Sequence, residues 1–435
     1  MYNNIKTKRI LAKNVLVSND TWVTGRNNND LLVGPSGSGK TRGYVVPNLL
    51  HAQDSLIVAD TKGNLYRLYG EHLRKKGYTV MYLDFTEVAY TPWGYNPLAY
   101  IRKCRDMELH RNGDYYSEQD VKKVAQAICP RTNSKEPFWD EAAQMYLEAI
   151  ILFVLNLLPQ EQHNLYEVYT FLSKMGTPAL ENMIEEECTA HPDSAFARKI
   201  GMIRQNAVAE KMDASIKGVL AQHLNVVTYS GVKRMFCMKQ QVDMDAFLKD
   251  KTALFLSVSD SDRSQDALIN LFYTQALQYL ITAADRHLDS RLPIPVRFIL
   301  DDFSTNTVIP NFDNIISVIR SREIYVSIVI QSLSQLEGLY GHAKAQTIIN
   351  NCDHCLYLGG TDTQTAQYFA EKFNCQVSTV LNLPLDTMFL FERGSEPRRV
   401  QKYELDQDDA YRGLIESMGR RRRAGAKTDP GRGEP

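Results

Sequence analysis

Asp30-Leu31-Leu32-Val33-Gly34-Pro35-Ser36-Gly37-Ser38-Gly39-Lys40-Thr41 is a short apolar run that breaks into a glycine-rich loop ending in Lys-Thr. The glycines of such a loop let successive backbone N–H groups turn inward around the α- and β-phosphates of a nucleotide. Lys40 can then reach the β- and γ-phosphates, and the Thr41 hydroxyl can take a place on Mg²⁺. Gly34, Pro35, Ser36, Gly37, Ser38, Gly39, Lys40 and Thr41 are therefore the candidate phosphate-binding residues of a chain that handles a nucleoside triphosphate. The pattern by itself also describes a mobile Gly/Ser loop. A strand expected at Leu31 to Val33 and a helix expected from Thr41 to Leu50 supply the setting that phosphate binding requires.

Beyond the loop, Ser55 to Asp60 and Thr79 to Asp84 are apolar runs that each end in a carboxylate, with a helical pattern from Tyr66 to Lys76 between them. Alternation of strand, helix and strand predicts a parallel sheet with helices on its faces. Further strands are expected at Thr252 to Val258, Val296 to Leu300, Tyr325 to Ile330 and His354 to Leu358. Helical periodicity fills the interruption: Trp139, Ala143, Tyr146, Ile150 and Phe153 recur at spacings of four and three, with Asp140 and Glu141 in the first turn. Leu165 to Met175 and Met212 to Leu224 continue it. The expected division is a nucleotide-binding domain in two parts, 1–114 and 231–408, an all-α insertion over 115–230, and a disordered basic tail over 409–435. Arg420 to Arg423 in that tail could hold phosphates or a partner's acidic patch, or simply be solvated.

A phosphate loop needs a carboxylate for the metal side and, in a hydrolase, a second acid to orient the attacking water. The run Val296 to Leu300 ends in Asp301-Asp302. Asp301 would hold Mg²⁺ through a bound water and Asp302 would polarise the attacking water; the alternative is an ordinary Asp-Asp turn at a strand end. Gln331 follows the strand Tyr325 to Ile330, where ligands of parallel sheets collect. An arginine at a subunit boundary, such as those in Arg320-Ser-Arg322, can stabilise charge during phosphoryl transfer. Either could equally be a surface residue.

The remaining composition narrows the classes. A hydrophobic content of 44% with 23% charged residues is that of a globular chain, and a net charge of -1 gives no global pull on nucleic acid. The best apolar run, Ala149 to Leu158, is too short to cross a bilayer and contains Asn156. No signal peptide begins at Met1, and seven cysteines without framework spacing agree with a reducing compartment. The expectation is a cytoplasmic chain. Cys352-Asp-His-Cys355 has the separation of half a zinc site, but no second pair completes it, and the run reads as a buried strand.

Taken together, these residues resemble the ATPase part of the type IV secretion coupling proteins, the TraG/TraD-like conjugation ATPases, in particular the branch carried by conjugative elements of Gram-positive bacteria. The resemblance runs from about Asn27 to Leu405. It includes Gly34 to Thr41, Val45-Val-Pro-Asn-Leu-Leu50, Asp60-Thr-Lys-Gly63, Tyr95-Asn-Pro97, Pro137-Phe-Trp139, Asp301-Asp-Phe303, Arg320-Ser-Arg-Glu-Ile324, Gln331-Ser-Leu-Ser-Gln-Leu336, Asn351-Cys-Asp353 and Leu358-Gly-Gly360. It implies an α/β RecA-like motor with an all-α insertion that assembles as a homo-hexamer, binds DNA, hydrolyses ATP with Mg²⁺ and delivers a relaxase with its DNA to a type IV secretion channel. On that footing Lys40 and Thr41 serve the phosphates and Mg²⁺, Asp301 is the metal-side acid, Arg320 the arginine finger into a neighbour's site, and Gln331 the γ-phosphate sensor. The inserted helices would face the DNA cargo.

Three departures accompany the resemblance. Asp302 stands where the family usually has Glu, and Asn64 where it usually has an acid. Family members normally begin with transmembrane helices, whereas the recognisable ATPase here begins almost at once, which implies a soluble version, a truncation, or a partner of a separate membrane subunit. A helicase-like DNA motor without a secretion partner and a weakly hydrolysing, nucleotide-switched adaptor for relaxase stay open as alternatives.

Overall fold

The computed structural model of the chain describes residues 7–61, 63–105, 114–130, 137–206, 210–303 and 308–426. Its strands, in chain order, are β1 Lys8–Ala12, β2 Val15–Ser18, β3 Asp30–Val33, β4 Ser55–Asp60, β5 Thr79–Asp84, β6 Lys103–Arg105, β7 Asp114–Tyr116, β8 Thr252–Ser257, β9 Val296–Leu300, β10 Ile324–Ile330, β11 His354–Tyr357, β12 Thr387–Glu392 and β13 Arg398–Gln401. Nine of them form one sheet in the order β13-β12-β11-β3-β10-β9-β4-β8-β5. From β11 to β5 all neighbours are parallel, while β12 and β13 add an antiparallel edge.

Side chains alternate across a strand, and the sheet uses both faces. Leu31, Val33, Ile57, Leu254, Leu256 and Ile328 enter one core. Leu32, Leu56, Val58, Ala253, Phe255 and Val329 enter the other. Burial on both sides explains why these strands read as unbroken apolar runs rather than as alternating ones.

The helices between Glu118 and Cys237 enter the chain after the antiparallel pair of β6 and β7 and before β8. Ser117 starts the first of them, Glu118–Ile128, by accepting from the Asp120 amide. The helix Phe138–Leu157 is the centre of this group. Its expected single apolar face is widened: Ala143, Tyr146, Ile150 and Phe153 are buried, and so are Gln144, Glu148 and the intervening residues Leu147 to Leu155. Helices 118–128, 165–174, 195–206 and 210–223 surround it, so polar positions close in as well.

Two expectations need correction. The helix expected from Thr41 to Leu50 opens as a π-turn, Thr41–Val45, before the α-helix Val46–Leu50. Pro47 has no amide to continue an α-helical ladder backwards, which accounts for the wider turn. The tail expected to be disordered from residue 409 instead contains the helix Asp409–Ala426. Asp408 Oδ1 accepts from the Ala410 and Tyr411 amides at 2.8 and 3.1 Å, and Tyr411 and Leu414 pack on the second core. Two apolar anchors and a capping carboxylate suffice, although the surrounding composition is polar and basic. Residues 427–435 lie outside the described residues.

Candidate functional site

β3 delivers the glycine-rich loop at its carboxyl end. Gly34 N–H donates to the Ile330 carbonyl at 3.1 Å, which fixes the loop's first residue against the end of β10. A Cβ at Gly34 would lie 2.6 Å from Ser38 Oγ and 2.9 Å from Leu358 Cβ, so no larger residue fits there without rearrangement. Gly37 and Gly39 have φ of 78° and 93°, backbone states that L side chains rarely adopt. Ser38 Oγ is buried with no hydrogen-bond partner among the described residues, a polar atom in the loop left for a ligand to satisfy.

The Lys40 ammonium folds back over this loop, donating to the Gly34 and Pro35 carbonyls at 2.6 and 3.0 Å. Burial pulls its pKa down, opposed by the charges of Asp302 and Asp301. Thr41 Oγ1 donates to Asp301 Oδ2 at 2.7 Å. Asp301 directly follows β9, two strands from β3, and burial pushes its carboxyl up to about 6. The Thr41 hydroxyl opposes that rise, Asp302 adds to it and Lys40 opposes it. A buried carboxylate beside a hydroxyl and an ammonium is a donor set suited to Mg²⁺ and phosphate oxygens.

Asp302 follows in the left-handed region, φ 51°, with its amide donating to Asp301 Oδ1 at 3.1 Å. Aspartate tolerates that region better than longer side chains do. This turn presents the two carboxyl groups at one strand end. Gln331 is the first residue past β10 and lines a cavity of about 160 Å³ together with Pro35, Ser332 and Gly360. Lys40, Thr41, Asp301, Asp302 and Gln331 thus share the carboxyl edge of the sheet.

Arg320 does not join them. It lies in a turn before β10, exposed and without an ion pair among the described residues, while Arg322 is held by Asp285 at 2.7 and 3.2 Å. The strand between Arg320 and Gln331 spans about 20 Å at ~3.3 Å per residue. Arg320 therefore cannot reach the loop of its own chain. Asn64 heads the helix Asn64–Lys75, and Asp60 Oδ2 accepts from the Tyr66 amide at 2.9 Å, so this segment is built to start a helix after β4. Cys352 and Cys355 are buried, and no metal-binding group of His, Cys, Asp and Glu occurs among the described residues.

Three features of the site are hardly legible in the local sequence. Lys402 Nζ donates to the Ser38 carbonyl at 2.8 Å from the far end of the chain. Beneath the loop, the fully buried Asp30 receives a two-pronged bond from Arg9 at 2.8 Å on each oxygen, and also bonds Tyr44 Oη. Asn48 clamps β1 to the helix after the loop through Ile10 N and O at 2.9 and 2.8 Å. A charged residue opening an apolar strand, Asp30, was the one available hint.

Residues 2–375 match the family described as type IV secretory system conjugative DNA transfer. The chain is 21% identical to protein VirD4 of Rhizobium radiobacter over 358 residues, covering 80% of this chain and 48% of that protein. It is 24% identical over 357 residues to the conjugal transfer protein TraG of Escherichia coli, covering 74% and 51%. The chain spans about half the length of the curated relatives it matches. Among solved structures, the unbound bacterial conjugative coupling protein TrwBdeltaN70 superposes with a TM-score of 0.68 at 15% identity, covering 92% of this chain and 89% of that one. The plasmid coupling protein TrwB in complex with the ATP analogue ADPNP gives 0.67 at 16% identity, covering 93% and 92%. At such identity the likeness establishes the fold, an α/β RecA-like sheet with a helical insertion.

Proposed function

The chain belongs to the type IV secretory system conjugative DNA transfer family, and from that premise we propose that it is an ATP-hydrolysing, DNA-binding motor that passes relaxase-bound DNA to a secretion channel. The observation that carries the nucleotide part is the meeting of Thr41 Oγ1 and Asp301 Oδ2 at 2.7 Å beside the buried Lys40. Structures of the fold neighbour TrwB with ADPNP and with ADP and Mg²⁺ support the same assignment.

In this reading the loop amides from Gly34 to Thr41 bind the phosphates, and Lys40 leaves the Gly34 and Pro35 carbonyls to neutralise the β- and γ-oxygens. Thr41 would hold Mg²⁺ directly and Asp301 through water; the ion supplies charge neutralisation at the phosphates. Asp302 orients the attacking water and Gln331 senses the terminal phosphate. Arg320, too far from its own loop, serves a neighbouring subunit's site, which makes a homo-hexameric ring the expected assembly. The helices of residues 115–230 form the cargo-facing domain, and a separate membrane subunit or channel components complete the machine.

The test is Mg²⁺-dependent ATP turnover by the purified chain with and without DNA, alongside Lys40→Ala. The expected result is turnover that DNA raises and that Lys40→Ala abolishes in a folded protein. Wild-type turnover in folded Lys40→Ala would remove the assignment, and turnover indifferent to DNA would remove the motor.

A further inference from the structure

The cavity of about 160 Å³ at the Pro35 end of the glycine-rich loop joins two strand ends. Ile330, the last residue of β10, and Tyr357, the last residue of β11, both pair with Val33 in parallel register, one on each side of β3. Neighbouring strands lie about 4.8 Å apart, so these ends are about 10 Å from each other across the strand that carries the loop. Gln331 follows Ile330 at once, and Gln331 and Tyr357 line the same cavity.

Three other polar side chains of the cavity are already engaged. Ser332 Oγ accepts from the Gln335 amide at 3.3 Å, Asp362 Oδ2 accepts from Ser334 Oγ at 2.8 Å and from the Thr365 amide at 3.2 Å, and Thr365 Oγ1 accepts from the Leu333 amide at 3.0 Å. Ser332 and Asp362 thereby cap the helices Leu333–Tyr340 and Thr363–Phe373. Tyr357 differs. It is 1% exposed, and its hydroxyl has no hydrogen-bond partner among the described residues, a state that costs free energy in a folded interior. Gln331 likewise makes no side-chain hydrogen bond among the described residues. The Tyr357 ring packs on Phe369 with centroids 4.5 Å apart, which fixes it. Its hydroxyl end lies toward the loop: a Cβ added at Gly360 would be 3.4 Å from Tyr357 Oη and 3.6 Å from Pro35 Cδ. Burial, with the charge of Asp362 adding to it, pushes the hydroxyl up to about 12, so it keeps its proton and can donate at neutral pH.

We propose that Tyr357 is a positioning residue for Gln331: across this cavity its hydroxyl donates to the Gln331 side-chain carbonyl and leaves the amide N–H groups for the terminal phosphate. This rests on the reading of Gln331 as the sensor of that phosphate. A glutamine side chain accepts at its oxygen and donates at its nitrogen, whereas a phosphate oxygen only accepts. A donor fixed on the carbonyl therefore selects the amide orientation that serves the phosphate. Tyr357 itself touches no part of the nucleotide in this arrangement.

The test is a double-mutant cycle of Tyr357→Phe and Gln331→Ala on the full chain. It reads ATP turnover with Mg²⁺ and DNA, ADP affinity by calorimetry, and thermal unfolding without nucleotide. Tyr357→Phe is expected to lower kcat about tenfold, with KM and ADP affinity within about twofold of wild type. The Tm of the nucleotide-free chain stays level or rises, because the hydroxyl removed has no partner there. In the Gln331→Ala background Tyr357→Phe has no further effect, since the group it orients is gone. Unchanged turnover in Tyr357→Phe overturns the inference and leaves the sensor reading of Gln331 standing. Full additivity of the two substitutions overturns it by giving the hydroxyl a separate contact, and a lower nucleotide-free Tm in Tyr357→Phe overturns it by giving the hydroxyl a structural one. Wild-type turnover in folded Gln331→Ala removes the sensor reading itself, and the inference falls with it.

Discussion

Asp302 illustrates how a single backbone angle sets chemistry. Its φ of 51° favours a short acid, and a glutamate there pays a left-handed cost of about 1 kcal/mol. Asp302→Glu is expected to lower stability by about that amount, read by denaturant titration, while its longer reach raises ATP turnover through better placement of water. Flat turnover would assign water positioning to another residue. Asp30 makes the second residue-scale case. Burial favours its neutral form, but Arg9, the His354 hydrogen bond and Arg297 outweigh burial and hold its carboxyl well below the usual range. Asp30→Asn strands two buried guanidiniums and is expected to cost about 3–5 kcal/mol at neutral pH. Because the folded pKa is depressed, this stabilisation is complete above the unfolded value of about 3.9 and fades as pH falls below it. The gap between wild type and Asp30→Asn should therefore hold steady from about pH 7 to 5 and narrow below about pH 4; a gap that widened in acid would contradict this.

At the scale of elements, the carboxy-terminal helix Asp409–Ala426 separates anchoring from charge. Asp408, Tyr411 and Leu414 hold its first turns to the body, while Arg420 to Arg423 follow beyond them. Removing residues from Arg420 onward keeps the anchors. Truncation there is expected to leave basal ATP turnover unchanged and to weaken DNA binding, with a shallower dependence of affinity on salt as cationic contacts are lost. DNA affinity and salt slope equal to the intact chain would return those arginines to a solvated role. The amino-terminal hairpin behaves differently: β1 is fastened by Arg9 and Asn48 to the strand and helix on either side of the glycine-rich loop, so it is part of that loop's foundation.

For the whole molecule, the sheet separates the two ends at which the proposed functional residues lie. Arg320 precedes β10 and Gln331 follows it, with the length of that strand, about 20 Å, between them, so on the proposed reading an arginine finger acts on the loop of a neighbouring copy. Mixing Arg320→Ala subunits with Lys40→Ala subunits is expected to restore part of the turnover that each lacks alone, since mixed interfaces pair an intact loop with an intact arginine. Confirmed rings without any recovery would exclude the role in trans.

Sequence determined the phosphate loop, the parallel strands and the acids at their ends, because each is written in a local pattern of a few residues: Gly34 to Thr41, Ser55 to Asp60, Val296 to Asp302. Unbroken apolar runs and glycine placement are legible within short stretches of chain. Tertiary structure alone decided the antiparallel edge of β12 and β13, the helix that replaces the expected tail, and the partners Lys402 to Ser38 and Arg9 to Asp30. The physical reason is separation along the chain. Lys402 and Ser38 are 364 residues apart, and nothing in either neighbourhood encodes the other until the sheet brings its edge strand beside the loop.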